Sequence, residues 1–160
     1  MMDQQKLDFI CTGAFDKMNA LKEDSKAGWG VMNAQEMTEH LADFFNVSTQ
    51  KVKTKLYTPE EHLPKYMEFL MSEKQFKENT KAPAELLGET PLPLRFSSLD
   101  QAKQNLRQSV NDFNAYFRED DVKRTLHPAF GMLKYDEWVR LHYKHVVHHL
   151  KQFGLMEEVK

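Results

Sequence analysis

The segment YDEWVRLHYKHVVHHLKQFG, residues 135–154, decides the fold of this chain, because its pattern is that of one long amphipathic helix. Apolar side chains recur along it at three- and four-residue steps, and Gly154 stands directly after them as a helix stop. Four of the seven histidines of the chain lie within this segment. The pattern predicts a last long helix from about Tyr135 to Phe153.

Three further helices are predicted from the same periodicity. The first covers residues 4–21, where apolar side chains recur at helical spacing. Asn33, followed three residues later by Glu36, predicts a capping box that opens a second helix running to about Val47. Asp100 is the predicted N-cap of a third helix that carries an apolar stripe along one face.

The region between the second and third helices is expected to be long and only partly helical. The sequence PKYMEFLMSEKQF, from Pro64, is compatible with a helix that has proline in its first turn. The sequence KAPAELLGETPLPLRF, residues 81–96, predicts a surface loop, and TLHPAFGML, residues 125–133, is another break. No strand-like alternation persists. The predicted fold is an all-α, four-helix bundle, a single domain over residues 1–160, with a long, partly helical connection between helices 2 and 3.

Composition excludes several classes of function. The 22 basic and 24 acidic side chains are interspersed and give a net charge of −2, so no basic surface for a nucleic acid is expected. No apolar run approaches the roughly 18–20 residues that span a bilayer. The N-terminus has no signal-peptide pattern, and Cys11 is a single cysteine. A reducing, cytoplasmic location is therefore expected.

The histidines lie at the edges of apolar helix faces. On a helical wheel His149 falls about 40° from His145, and Trp138 lies beside them on the edge of the apolar arc. Lys144 falls on the opposite side, where the wheel predicts exposure to water. In the second helix, His40 likewise lies beside an apolar face.

This spacing leaves two interpretations open. Two histidines at positions i and i+4 can both reach one ion at about 2.0–2.1 Å, and a third from a neighbouring helix would leave coordination positions open. Alternatively, the imidazoles are satisfied by hydrogen bonds or solvated. His142 is a further candidate for an inward position, and His62 is expected to be exposed.

Two blocks of the sequence carry a resemblance to a known family. They are WGVMNAQEMTEHLADFF, residues 29–45, and HPAFGMLKYDEWVRLHYKHVVHHLKQFGL, residues 127–155. Both resemble the DinB/YfiT-like superfamily of helix-bundle proteins, most closely its DUF1569 family. The resemblance implies a divalent metal site, with zinc or nickel as the expected ion. The implied ligands are His40, His145 and His149, with Gln152 following three residues later, and His142 and His127 are less favoured candidates.

Other residues near the implied site have two interpretations each. His127, directly before a proline, either approaches the open side of a metal site or caps the turn that follows. Glu36 and Asp43 either accept hydrogen bonds at the edge of the site or act as a base; helix capping accounts for Glu36, and neither is predicted to be catalytic. Trp29 and Trp138 are expected to be core residues or pocket walls. The catalytic residues are not identified by the sequence.

Two functional hypotheses follow. The metalloprotease motif H-E-x-x-H, the Glu-x-x-His pairs of di-iron bundles and a phosphate-binding glycine loop are all missing from the sequence. By resemblance, the first hypothesis is a metal-dependent transferase that uses a low-molecular-weight thiol, or a hydrolase, acting on a small molecule. The second is a non-enzymatic, metal-stabilised bundle that binds a ligand or partner, for example in a stress response, or forms a homodimer. Neither hypothesis involves a nucleic acid or a membrane.

Overall fold

The computed structural model describes residues 1–78, 92–120 and 122–157. Its helices are α1, made of the consecutive segments Gln4–Asp8, Phe9–Gly13 (π-helical) and Ala14–Met18; α2, Ala34–Ser48; α3, Leu63–Met71, preceded by the 3₁₀ turn Glu60–His62; α4, Leu99–Arg118; and α5, Tyr135–Gln152. Strands β1 (Thr125–His127) and β2 (Gly131–Leu133) form an antiparallel hairpin between α4 and α5. The predicted mainly helical fold is confirmed, whereas its assignment to a four-helix bundle stays a prediction.

Local capping signals account for where α2 and α4 begin. The predicted capping box of α2 is confirmed, because Glu36 N donates to Asn33 Oδ1 and Asn33 N donates to Glu36 Oε1, both at 2.8 Å. In α4, Ser98 is the N-cap, and its Oγ accepts from Gln101 N at 3.2 Å. The predicted cap at Asp100 is therefore wrong by two residues, because an earlier residue already offers a side-chain acceptor in extended backbone.

The ends of α1 and α5 differ slightly from the periodicity. The first helix ends at Met18 rather than at residue 21, and its middle segment widens into a π-helix. The last helix ends at Gln152, and Gly154 adopts a φ of 70°, which is the left-handed conformation expected after a helix. The predicted helix at Pro64 is present as α3. Of the predicted loop over 81–96, residues 81–91 lie outside the described residues.

The hairpin between α4 and α5 was not predicted. Each strand has three residues, which is too short for an alternating pattern to stand out in the sequence. His127 pairs with Gly131 at the turn end of the hairpin, and Gly131 has a φ of 83° that disfavours any residue with a Cβ atom. The break predicted over 125–133 is therefore a compact hairpin.

The core lies where α2, α4 and α5 meet. The rings of Phe45 on α2 and Phe113 on α4 are 5.5 Å apart, and Trp138 on α5 is fully buried beside them. Trp138 Nε1 donates to Thr125 Oγ1 at 2.8 Å, and that hydroxyl donates to the carbonyl of Ser48 at 2.7 Å. These two hydrogen bonds join β1 to the end of α2 and satisfy polar groups that burial would otherwise destabilise.

Lys144 is buried, so the predicted exposure of this residue is wrong. Its ammonium group donates to the carbonyl of Ser72 at 2.7 Å and to the carbonyl of Lys74, and it lies 4.7 Å from the centre of the Phe69 ring. Burial lowers the pKa of Lys144 to about 8. A helical wheel could not predict this, because the covering carbonyls belong to the segment after α3.

Arg95, in the segment before α4, contacts two buried carboxylates of α2. Its guanidinium donates to both oxygens of Asp43, at 2.6 and 2.9 Å, and its backbone N donates to Glu39 Oε1 at 2.9 Å. Fork-shaped pairing of this kind combines charge with fixed geometry. The carboxylate of Asp43 is therefore paired with an arginine that the sequence analysis did not identify.

Replacing Arg95 with alanine is expected to lower the free energy of unfolding by about 2 kcal/mol, because two buried carboxylates lose their cation. Lys51→Ala is the matched control, since Lys51 also pairs with an aspartate, Asp112, but at an exposed site. That control should cost less than about 1 kcal/mol. Urea unfolding followed by circular dichroism measures both values. Equal losses in the two variants would contradict a special role for Arg95.

Candidate metal centre

Three imidazole nitrogens converge between α2 and α5. The Nε2 atoms of His40 and His145 are 3.0 Å apart, and those of His145 and His149 are 3.1 Å apart. The three rings stand nearly perpendicular to one another, with centroids 4.8–4.9 Å apart. The structure thus brings together the three histidines that the resemblance selected, which we call the histidine triad.

Regular helix geometry explains this convergence. His145 and His149 are one turn apart on α5 and therefore project from the same side of that helix. His40 lies in the middle of α2, so all three side chains stand on rigid elements. His149 is buried, whereas His40 and His145 are partly exposed. Two of the three histidines therefore retain some exposure to solvent.

The donor set fits a divalent transition metal. Two nitrogens that bind one ion at about 2.0–2.1 Å lie roughly 2.9–3.4 Å apart, which includes both measured contacts. His145 Nε2 takes part in both contacts, so a single proton on it would have to serve two neighbours. One cation between the three nitrogens would instead accept a lone pair from each of them. Imidazole is a common ligand of zinc, nickel, copper and iron.

The electrostatics of the triad favour neutral rings. Burial lowers the pKa of His40 to about 4, with a smaller contribution from His148. Burial also lowers the pKa values of His145 and His149 well below their ordinary value, and the neighbouring histidines add to the effect. Neutral imidazole is the form that binds metals. The triad is therefore ready to act as a ligand set near neutral pH.

Contacts outside the triad hold His149 in place. Its Nδ1 is 2.7 Å from Gln152 Oε1, and Gln152 Nε2 donates to the carbonyl of Trp29 at 2.9 Å. The Trp29 ring lies 5.7 Å from that of His148. Trp29 was expected to be a core residue or pocket wall, and the use of its backbone carbonyl has no signal in the sequence.

Phe44 forms an apolar wall of the triad. Its ring meets the rings of His40 and His145 edge to face, with centroids 5.2 and 4.8 Å apart. On α2 it follows His40 by four residues, which places both side chains on one face. That spacing is a signal from which sequence reasoning could have identified Phe44. The ring limits the access of water on this side of the triad.

His142 lies outside the triad. Its ring is stacked on Phe45 at 3.9 Å and on Trp138 at 5.3 Å, and its Nε2 is 3.2 Å from Ser48 Oγ. Burial lowers the pKa of His142 well below its ordinary value. Its inward position is as expected, but its hydrogen-bonding partner is a hydroxyl group in the core.

His127 also has partners of its own. Its Nδ1 accepts from the backbone N of Ala129 at 2.9 Å and from that of Phe130 at 3.1 Å. These bonds match the turn-capping interpretation of His127. The ring is stacked on Phe44 at 5.9 Å, and the same phenyl ring contacts His145 edge to face. Burial lowers the pKa of His127 to about 3.

The acidic residues near His40 have structural partners. Glu36 completes the capping box of α2, and Asp43 is paired with Arg95. Among the described residues, the cluster suited to a metal comprises the three histidines and no carboxylate. A base supplied by either residue is therefore not supported by the observed contacts.

The metal-free protein is expected to lose stability as the pH falls from about 6.5 towards 4. Between its lowered pKa of about 3 and its ordinary value of 6.5, His127 is protonated in the unfolded chain and neutral in the folded protein. Acidification over that range therefore favours unfolding, by up to about 1.4 kcal/mol per pH unit for each such group.

The variant His127→Asn tests this contribution, because its Oδ1 can accept the same backbone hydrogen bonds without binding a proton. Urea unfolding at several pH values between about 7 and 5, in buffer with a chelator, should give a shallower dependence for this variant than for the wild type. An unchanged pH dependence would show that His127 is not one of the groups responsible.

Within the described residues, none of the helices combines the length and apolar character that a membrane span requires.

Comparison with known proteins adds a family assignment. Neither a curated protein nor a solved structure matches the chain. The family model of the DinB superfamily matches residues 18–153, a range that includes the whole histidine triad. Proteins of this superfamily generally bind divalent metals. The chain belongs to the DinB superfamily.

Proposed function

We propose that the protein is a metal-dependent enzyme, a thiol-dependent transferase or a hydrolase that acts on a small molecule. The observation that carries the proposal is the convergence of three neutral imidazole Nε2 atoms between two rigid helices. His40, His145 and His149 are the proposed ligands, and zinc or nickel is the proposed ion.

The number of converging ligands supports an enzyme rather than a closed structural site. A structural metal site uses four protein ligands, whereas a catalytic site keeps a position for substrate or water. The two additional candidates, His142 and His127, have other hydrogen-bonding partners in the core and the hairpin turn. Within the described part of the chain, no fourth ligand joins the triad.

The residues of the chain would have distinct roles at such a site. A bound divalent ion would act as a Lewis acid that lowers the pKa of a coordinated thiol or water molecule. The three histidines would hold the ion with neutral nitrogens and leave its net positive charge uncompensated. Phe44 would exclude water from one side and offer an apolar surface to the substrate. Lower water access strengthens electrostatic interactions within the site.

The sequence supports further proposals about the family branch, the partner, the location and the assembly of the protein. The blocks at 29–45 and 127–155 support placement in the DUF1569 branch of the superfamily. The balanced charges support a small-molecule substrate or a low-molecular-weight thiol as the partner, rather than a nucleic acid or a membrane. We also propose a single domain over residues 1–160, a cytoplasmic location and a homodimeric assembly.

The first test is metal content, measured by elemental mass spectrometry on untagged protein. About one transition-metal ion per chain is expected in the wild type. The variants His40→Ala and His145→Ala/His149→Ala should both lose it, because each removes nitrogens from the triad. His62→Ala is the matched control, since His62 is exposed on the turn before α3. That variant should keep the ion.

Protein that binds no ion, even after reconstitution with zinc or nickel, would refute the metal site. Retention of the ion in the triad variants would refute these ligands.

The second test separates an enzyme from a metal-stabilised binding module. In cobalt-substituted protein, an added small thiol should change the visible spectrum if a coordination position is open. Transfer of that thiol to an electrophile, or hydrolysis of a small ester, should then be lost in His40→Ala. A spectrum that no added thiol alters would favour the non-enzymatic alternative.

A further inference from the structure

Gln152 is buried, and both ends of its side-chain amide are engaged. Its Nε2 donates to the carbonyl of Trp29 at 2.9 Å, and its Oε1 lies 2.7 Å from Nδ1 of His149. Only 3% of the residue is exposed, so water is a poor alternative partner. Among the described residues, His149 is the triad member with a hydrogen bond at its Nδ1.

These contacts determine which nitrogen of His149 carries the proton. A backbone carbonyl can only accept, so the amide nitrogen of Gln152 must face Trp29 and its oxygen must face His149. An amide oxygen can also only accept, which requires a proton on Nδ1. A neutral imidazole with its proton on Nδ1 has a free lone pair on Nε2. That lone pair belongs to the nitrogen 3.1 Å from His145 Nε2.

The loop around Trp29 contacts the end of α5 through the two glycines beside the tryptophan. The backbone N of Gly28 donates to the carbonyl of Gln152 at 2.6 Å. Gly30 has a φ of 79°, and a Cβ atom on it would lie 2.7 Å from Gln152 Nε2. The loop therefore contacts both the backbone and the side chain of Gln152, and the conformation of Gly30 disfavours any residue with a Cβ atom.

We propose that Gln152, oriented by the carbonyl of Trp29, is a positioning residue that fixes His149 with its proton on Nδ1 and its Nε2 lone pair in the triad. In the other tautomer, Nε2–H would occupy the space between the rings and block that nitrogen as a ligand. The role of this tautomer in metal binding rests on the proposed function, whereas the assignment of the tautomer itself does not. Outer hydrogen bonds of this kind set the orientation and basicity of histidine ligands.

The primary experiment is nitrogen-15 NMR of the histidine rings in full-length protein at neutral pH, after treatment with a chelator. His149→Ala assigns the signals of His149 by their disappearance. The expected result is a neutral ring protonated on Nδ1. Protonation on Nε2 in the wild type would overturn the proposal without any further variant.

Two substitutions test the role of the amide. Gln152→Met keeps the length of the side chain but removes both hydrogen bonds, so His149 should shift towards the other tautomer. Gln152→Glu keeps an acceptor for Nδ1–H and should retain the wild-type tautomer. Gln108→Met is the matched control, because Gln108 also donates to a neighbouring side chain, Asp112, but at an exposed site. It should leave the signals of His149 unchanged.

Zinc affinity provides a second readout. Gln152→Met is expected to weaken zinc binding by about 10–100-fold, Gln152→Glu much less, and Gln108→Met not at all. An unchanged tautomer and unchanged affinity in Gln152→Met would overturn the positioning role. If the wild type binds no metal, the proposed function fails, while the NMR measurement still decides whether Gln152 fixes the tautomer.

Discussion

The contact between Nε2 of His40 and Nε2 of His145, 3.0 Å long, joins residues 105 positions apart in the chain and constrains the surrounding structure. Two imidazoles can approach this closely only when they do not both carry a charge. Burial meets this condition by lowering the pKa of each ring. The helices α2 and α5 must therefore pack closely at this level, and Phe44 covers the contact on one side.

The buried polar groups around Trp138 are satisfied by hydrogen bonds to one another. Trp138 donates to the hydroxyl of Thr125, which donates to the carbonyl of Ser48, and the Ser48 hydroxyl meets His142. Each buried polar group in this series of contacts has a partner, which offsets the cost of removing it from water. The same bonds tie the hairpin to α2 and α5. The hairpin in turn places the His127 ring against Phe44.

The segments between the helices form hydrogen bonds and ion pairs with α2 and α5. The loop around Trp29 bonds to Gln152 at the end of α5, and Arg95 pairs with Asp43 on α2. The segment after α3 supplies carbonyls to Lys144 on α5. The connecting segments cover polar side chains of the helices and also supply their hydrogen-bonding partners. Loops and helices therefore stabilise one another. The triad is thus supported from both the helices that carry it and the loops that cover them.

The sequence by itself determined the features that depend on neighbouring positions. Helical periodicity placed His145 and His149 on one face, the capping box marked the start of α2, and Gly154 marked the end of α5. The prediction that His40 lies near them came from its position beside the apolar face of α2 and from the family resemblance. Only the tertiary structure decided that Lys144 is buried, that Arg95 holds Asp43, and that Gln152 connects Trp29 to His149. The physical reason is that local spacing fixes which side chains share a face, whereas hydrogen-bonding partners depend on how distant segments pack against that face.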